Sequence, residues 1–92
     1  MDCGASYRNH GGVPNLSKNR QDPILVALGD AIRRTRIEQG ISQEKLALLA
    51  EVDRSYVGRV ERGDNNVAVL TLARLAKALD VSMRDLMAEA RL

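Results

Sequence analysis

Residues 42–62 read SQEKLALLAEVDRSYVGRVER, and their pattern predicts two short helices joined by a tight turn. Ser42 is a suitable N-cap for the first helix, over 43–50, and Asp53 is a suitable N-cap for the second, over 54–62. Only three residues separate the two predicted helices, which is the spacing of a compact helical pair. The two predicted helices form the centre of the predicted fold.

Helical periodicity continues on both sides of the pair. A long helix is predicted over 25–39 and ends at Gly40, a fourth covers 69–79, and a fifth follows the N-cap Ser82. The fourth helix is expected to bury an apolar stripe made of Val69, Leu72, Ala73, Leu75, Ala76 and Leu79. No stretch alternates polar and apolar residues with a period of two, so no strand is predicted. The predicted fold is all-α, a bundle of five short helices.

The composition limits the location and the organisation of the chain. Residues 1–22 are rich in Gly, Asn and Ser and are predicted to form a flexible N-terminal arm ahead of a folded domain over 23–92. The single cysteine, Cys3, cannot form an internal disulfide, which suits a reducing compartment. No apolar run resembles a signal peptide or a membrane span, so a cytoplasmic location without membrane contact is expected. The net charge of +2 does not by itself establish a nucleic-acid partner.

The folded domain is not expected to be an enzyme. It contains no His or Cys for nucleophilic catalysis and no glycine-rich phosphate loop. His10 and Cys3 both lie in the arm, where two isolated side chains do not make a metal site. We therefore predict no cofactor and no metal.

The helix over 54–62 has two different faces. At about 100° per residue, five residues occupy one arc of about 140°: Arg54, Gly58, Arg62, Ser55 and Arg59. The opposite side carries Val57 and Val60, which can pack against a core. An arginine can bond two acceptors on a guanine edge at once, so the arc suits the major groove of DNA. Arginines on an exposed helix also serve solubility, and the arc alone does not decide between the two interpretations.

The preceding helix favours the interpretation as a DNA-binding surface. Two short helices with a tight turn are typical of the helix-turn-helix unit, whose second helix enters the major groove. The amino end of the first helix, at Ser42 and Gln43, would then face the phosphate backbone. Its unpaired amides and the positive end of its dipole suit an anion.

Arg36 shares the apolar face of the first helix with Leu28 and Ile32, where an unpaired charge would be costly. Glu61 borders the inner face of the helix over 54–62. We therefore expect a buried or half-buried ion pair between Arg36 and Glu61 that ties the two helices together. The alternative is that Arg36 extends to solvent.

Residues 28–86, LGDAIRRTRIEQGISQEKLALLAEVDRSYVGRVERGDNNVAVLTLARLAKALDVSMRDL, resemble the Cro and phage-repressor helix-turn-helix family. They are especially similar to restriction–modification controller proteins and to small stand-alone regulators. The matching pieces are Arg33 and Arg36 in LGDAIRRTR, Gly40-Ile41-Ser42-Gln43, Leu46-Ala47, Asp53-Arg54-Ser55-Tyr56-Val57, Glu61-Arg62-Gly63, Leu75-Ala76-Lys77-Ala78-Leu79 and Val81-Ser82. Their combination is specific, and the resemblance implies a lambda-repressor-like five-helix bundle.

The resemblance implies a sequence-specific regulator of transcription that binds double-stranded DNA. The residues it implies for reading base edges are Arg54, Ser55 and Arg59. Together with Ser42, the residues expected at the phosphate backbone are Gln43, Tyr56, Arg62, Asn65 and Asn66, with a base contact as the alternative for Gln43. Arg36 and Glu61 occupy the positions of the structural ion pair of the family. Family members usually bind palindromic sites as two-fold dimers, and both repression and activation remain open.

Two turns depart from the family pattern. Glu51 stands where the family usually has glycine in the helix-turn-helix turn, and Asp80 stands where glycine often ends the fourth helix. Asp tolerates a left-handed backbone better than Glu does, so Glu51 is the stranger departure. It leaves the conformation of the first turn open.

Exposed leucines support a second class of hypothesis. Leu48 and Leu70 fall between charged residues on the polar sides of their helices, although single exposed leucines are common. If the protein is a homodimer, the contacts expected from the fourth and fifth helices are Leu70, Met83, Met87 and Leu92. The two methionines fit a role in the core as well. The alternative function is an antitoxin or adaptor module whose main role is binding a protein partner.

Overall fold

The computed structural model describes residues 19–92 and contains five α-helices. The helices are α1 (Pro23–Glu38), α2 (Gln43–Ala50), α3 (Arg54–Arg62), α4 (Val69–Ala78) and α5 (Met83–Glu89). No strand occurs between residues 19 and 92, and the predicted all-α fold is confirmed. Over the same range, no helix has the length and apolar character needed to cross a membrane.

Side-chain caps define the starts of three helices. Ser42 accepts a hydrogen bond from the Lys45 amide at 2.9 Å, and Ser82 begins α5 with a complete capping box. α1 starts earlier than predicted because Asp22 caps it, its carboxylate accepting from the Ile24 amide at 2.9 Å. Pro23 then takes the first helical position, where its missing N–H leaves no hydrogen bond unmade.

Asp53 takes the N-cap position of α3, but its side chain makes no capping hydrogen bond. Asp53 is thus the N-cap residue that the sequence predicts, but without the side-chain hydrogen bond that usually favours aspartate there. Its backbone carbonyl accepts from the Tyr56 and Val57 amides, which is enough to begin the helix. The first amides of α3 are near the surface, where water can satisfy them without a side-chain cap.

The turn between α2 and α3 is left-handed at Glu51, with a φ of 62°. The Glu51 amide donates back to the Ala47 and Leu48 carbonyls and so closes the carboxyl end of α2. A glutamate thus adopts a backbone conformation that favours glycine. That conformation brings Cβ too close to the following carbonyl oxygen, so the turn carries a local cost.

The core is aliphatic and draws on all five helices. Its buried members are Leu28, Ile32, Leu46, Ala47, Ala50, Val57, Val60, Leu72, Leu75, Ala76, Leu79 and Leu86. Val69, which the sequence pattern assigns to this core, is 68% exposed, so that prediction was wrong. Ala68 and Leu70 on either side of it are exposed as well, so the amino end of α4 lies at the surface and not against the core.

α1 and α3 approach each other backbone to backbone at Gly29. A Cβ atom at this position would overlap the Val60 carbonyl oxygen, so a side chain is not tolerated without movement of one helix. The close contact fixes how deeply α3 sits against α1. The opposite face of α3 is left on the surface.

Residues 1–18 of the predicted arm lie outside the described residues. Residues 19–22, which the sequence assigns to the same arm, contact the end of α3, and we call them the strap. The backbone amide of Gln21 donates to the Gly63 carbonyl at 2.6 Å, and its side-chain amide donates to the Arg62 carbonyl at 2.7 Å. The strap therefore joins the start of α1 to the carboxyl end of α3.

Candidate nucleic-acid interface

α3 has a buried side and an exposed side, as its helical periodicity predicts. Val57 and Val60 are buried, Arg54 and Ser55 are exposed, and Arg59 is half-exposed. The three residues assigned to base reading therefore lie on the side of α3 that faces away from the core. We call this side the outer face of α3. It can approach a ligand without disturbing the packing beneath it.

Gly58 lies on the same side of α3 but is covered by its neighbours. A Cβ atom there would lie 3.3 Å from Arg62 Nη1 and 3.8 Å from Gln43 Oε1. The close approach that a glycine allows is thus used, at least in part, by side chains of this chain. Gln43 and Arg62, both assigned to the phosphate backbone, are brought together beside Gly58.

Next to Gln43, Arg36 and Glu61 form a buried ion pair. Arg36 Nε lies 2.7 Å from Glu61 Oε2, Arg36 Nη2 lies 3.1 Å from Oε1, and only 12% and 2% of the two side chains are exposed. Arg36 Nη1 also donates to the Ile41 carbonyl at 2.9 Å, and Gln43 Nε2 donates to Glu61 Oε1 at 2.9 Å. The network joins α1, α2 and α3, and Arg36 does not extend to solvent.

Tyr56 and Arg59 are in contact with each other on α3. The Arg59 guanidinium carbon lies 5.8 Å from the centroid of the Tyr56 ring, which is cation–π geometry. Burial raises the pKa of the Tyr56 phenol, against the opposing effects of a hydrogen bond with Thr71 and the charges of Arg59 and Arg74. The phenol therefore keeps its proton at neutral pH and can donate it to an anion.

The remaining residues assigned to phosphate lie on helix ends and loops. Ser42 is exposed, and its hydroxyl oxygen accepts from the Lys45 amide, which leaves the hydroxyl proton to donate elsewhere. Asn65 is half-buried and Asn66 is exposed, both in the loop that follows α3. Hydroxyl and amide groups of this kind can donate hydrogen bonds to phosphate oxygens.

Sequence reasoning missed the neighbours that α4 and the strap contribute. Thr71 of α4 meets Tyr56 across 15 positions of the chain, and Gln21 of the strap donates to Asp64 at 2.6 Å across 43. Helical periodicity predicts which face of one helix is buried, but it carries no information about which distant residue covers it. No local pattern could have found either contact.

The residues assigned to a dimer interface remain available on the surface. Leu70 is 81% exposed and Leu92 is 53% exposed, whereas Met83 and Met87 are half-buried against the core. The methionines thus serve the core and leave part of each side chain at the surface. Between residues 19 and 92, no group of three or more His, Cys, Asp or Glu could hold a metal ion.

The fold and the arrangement around α3 agree with a comparison of the chain against known families. The Helix-turn-helix family matches residues 32–86, which is more than half of the chain. This chain belongs to the helix-turn-helix family. The predicted family is confirmed.

Relatives of this helix-turn-helix protein are controllers and regulators. Control protein C.SmaI of Serratia marcescens is 41% identical over 64 residues, covering 70% of this chain and 76% of that protein. The crystal structure of the restriction-modification controller protein C.AhdI from Aeromonas hydrophila is 50% identical with a TM-score of 0.67, covering 67% of this chain and 94% of that chain. The clp gene regulator ClgR from C. glutamicum is 34% identical with a TM-score of 0.73, covering 74% and 87%. The predicted class, a helix-turn-helix DNA-binding regulator of transcription, is confirmed.

Proposed function

We propose that this helix-turn-helix protein binds a specific duplex sequence as a homodimer, with α3 lying in the major groove of a palindromic operator. The observation that carries the proposal is the outer face of α3. Arg54, Ser55 and Arg59 point away from the core there, and groups suited to phosphate lie beside them: Gln43 and Arg62 next to Gly58, and Tyr56 against Arg59. A helix in the major groove has a phosphate ridge on each side, which side chains around the reading residues can reach.

In this proposal, Arg54, Ser55 and Arg59 read base edges. The planar guanidinium of an arginine can donate two hydrogen bonds to one guanine, which gives discrimination as well as affinity. The contact of Arg59 with the Tyr56 ring holds the guanidinium before DNA arrives, so less side-chain freedom is lost on binding.

The phosphate contacts supply affinity and orient the protein on the duplex. Gln43 and Arg62 serve one strand, together with Ser42 and the unpaired amides at the amino end of α2. Tyr56 serves the other strand as a neutral hydrogen-bond donor. Asn65 and Asn66 extend the contact along the backbone beyond α3.

The homodimer is proposed because a single copy of α3 covers only a few base pairs. Two copies related by a two-fold axis would occupy successive major grooves about 34 Å apart. The proposed contact is made by Leu70, Met83, Met87 and Leu92. At a promoter in the cytoplasm, the bound dimer would block polymerase or, from a neighbouring site, recruit it.

The first test is titration of the whole chain against random duplex at about 50 mM and about 200 mM salt, followed by selection of bound sequences from a random pool. We expect affinity to fall steeply with salt because each phosphate contact releases counterions. We expect the selected sequences to share a palindrome. Failure to bind at both salt concentrations would contradict the proposal and favour the protein-partner adaptor, and a consensus without symmetry would contradict the dimer.

Arg59→Ala is expected to weaken binding to the selected sequence by about 1–3 kcal/mol and to relax the preference at one base pair, because a base-reading fork is lost. The control is Arg34→Ala, which removes the same charge from the side of α1 that pairs with Glu89 of α5. Equilibrium binding and a repeated selection are the measurements. An Arg59→Ala variant with full affinity and an unchanged consensus would show that the reading face is misassigned.

A further inference from the structure

Asp64 lies just beyond the carboxyl end of α3, and its side chain is only 11% exposed. The Gln21 side-chain amide donates to its Oδ1 at 2.6 Å, and Arg62 Nε donates to its Oδ2 at 3.1 Å. Arg20 Nε lies 3.6 Å from Oδ1. The hydrogen bonds from Gln21 and Arg62, aided by the charge of Arg20, lower the pKa of Asp64, so the group is a carboxylate at neutral pH.

The strap depends on the same carboxylate. Gln21 donates to Asp64 while it also donates to the Arg62 and Gly63 carbonyls, so one residue closes the carboxyl end of α3. Asp22, the next residue, caps α1. Asp64 thus sits where the start of α1, the end of α3 and the loop toward α4 meet.

Asp64 restricts the direction in which the Arg62 side chain extends. Its side chain is 62% exposed, so solvent alone would leave it many conformations. Asp64 binds the Nε atom, and the Nη1 atom lies 3.3 Å from the place a Gly58 Cβ would occupy. The inner nitrogen is therefore anchored, and Nη1 lies beside the same Gly58 position that Gln43 approaches.

We propose that Asp64 is a positioning residue for DNA binding, whose carboxylate anchors Arg62 Nε so that the terminal nitrogens meet a phosphate. The inference rests on the proposed function, since it assumes that the outer face of α3 meets DNA. If Asp64 positions Arg62, loss of the Asp64 charge weakens DNA binding, which is the opposite of what charge repulsion alone would give. A carboxylate near phosphates repels them, so removing it should strengthen binding unless the carboxylate orders a group that binds.

The test compares Asp64→Asn with Asp80→Asn, and with Arg62→Ala alone and combined with Asp64→Asn. Asp80 is an exposed aspartate in the left-handed turn after α4, where asparagine is tolerated, so its variant removes the same charge without touching Arg62. Binding to the selected duplex is measured by fluorescence anisotropy over a range of salt concentrations. Thermal unfolding shows which variants are folded at the binding temperature.

We expect Asp64→Asn to weaken binding about 3- to 10-fold and to lower the salt slope by about one, as for the loss of one phosphate contact. Asp80→Asn is expected to bind as the parent does, or slightly more tightly. In the Arg62→Ala background, Asp64→Asn is expected to have no further weakening effect, because it acts through Arg62.

An Asp64→Asn variant that binds as tightly as Asp80→Asn would overturn the inference. Equal weakening with and without Arg62 would also overturn it, since that result would mean general loss of folding rather than positioning. If the parent protein binds no duplex at any salt concentration, the proposed function fails first and the inference fails with it. If the parent protein binds duplex and Asp64→Asn binds equally well, the inference about Asp64 fails while the proposed function stands.

Discussion

Glu61 accepts hydrogen bonds from Arg36 of α1 and from Gln43 of α2, and it is itself buried on α3. Each partner comes from a different helix, so one carboxylate sets the position of α3 relative to both. A buried ion pair recovers little more than the cost of removing its charges from water. Its contribution here is geometric, because it holds the inner side of the helix whose outer face is proposed to read DNA.

Arg36→Ala is expected to lower the free energy of unfolding by about 3–5 kcal/mol, because it leaves the Glu61 carboxylate buried without a counter-charge. Urea denaturation followed by circular dichroism measures the change. Arg34→Ala is the matched control, since its pairs with Asp30 and Glu89 are exposed and a much smaller loss is expected. Equal losses for the two variants would contradict a special role for the buried pair.

In the unit formed by α2, the turn and α3, core packing overrides the backbone preference of one residue. Ser42 caps α2 as its chemistry predicts, but Glu51 takes a left-handed conformation that a glutamate does not favour. Leu46 and Ala50 of α2 and Val57 of α3 belong to the same buried cluster. Burial of these side chains offsets the strain at Glu51, because the turn joins two helices that both contribute to the core.

Glu51→Gly is expected to raise the free energy of unfolding by about 1 kcal/mol, because glycine adopts the left-handed backbone without the Cβ clash. The gain is less than the full strain, since glycine also has more freedom in the unfolded chain. Glu44→Gly, the same substitution inside α2, is the control and should lose about 1 kcal/mol. Thermal and urea unfolding measure the stability of both variants. A Glu51→Gly variant less stable than the parent would argue against a strained turn.

The whole domain keeps several leucines at its surface. Leu70 is 81% exposed on α4 and Leu48 is 70% exposed on α2. A chain of this size buries only a modest core, so covering exposed apolar area by association would add stability. The proposed dimer uses Leu70, whereas a protein adaptor could use either leucine.

Leu70→Lys is expected to shift the dimer toward monomer, because a lysine at the proposed interface would have to be desolvated. Sedimentation velocity at several concentrations measures the shift. Binding to the selected duplex should weaken with it, even though an added positive charge by itself favours DNA. Leu48→Lys is the control, and a dimer that persists in Leu70→Lys but dissociates in Leu48→Lys would relocate the interface to α2.

What the sequence by itself determined follows from short-range rules. The period of 3.6 residues predicts five helices and places Val57 and Val60 inward on α3, with Arg54 outward. Ser42 and Ser82 mark helix starts because their hydroxyls satisfy amides only a few residues away. Each of these inferences needs information from one or two turns of chain, which a single sequence contains.

The tertiary structure alone decided features that join distant parts of the chain or depend on what lies beyond a helix end. Asp64 meets Gln21 across 43 positions, and Val69 is exposed because the amino end of α4 lies at the surface. The left-handed turn at Glu51 is chosen by the packing of two helices, against the preference of the residue itself. Periodicity describes the face of each helix but leaves open how the helices cross, and these contacts exist only after the crossing is set.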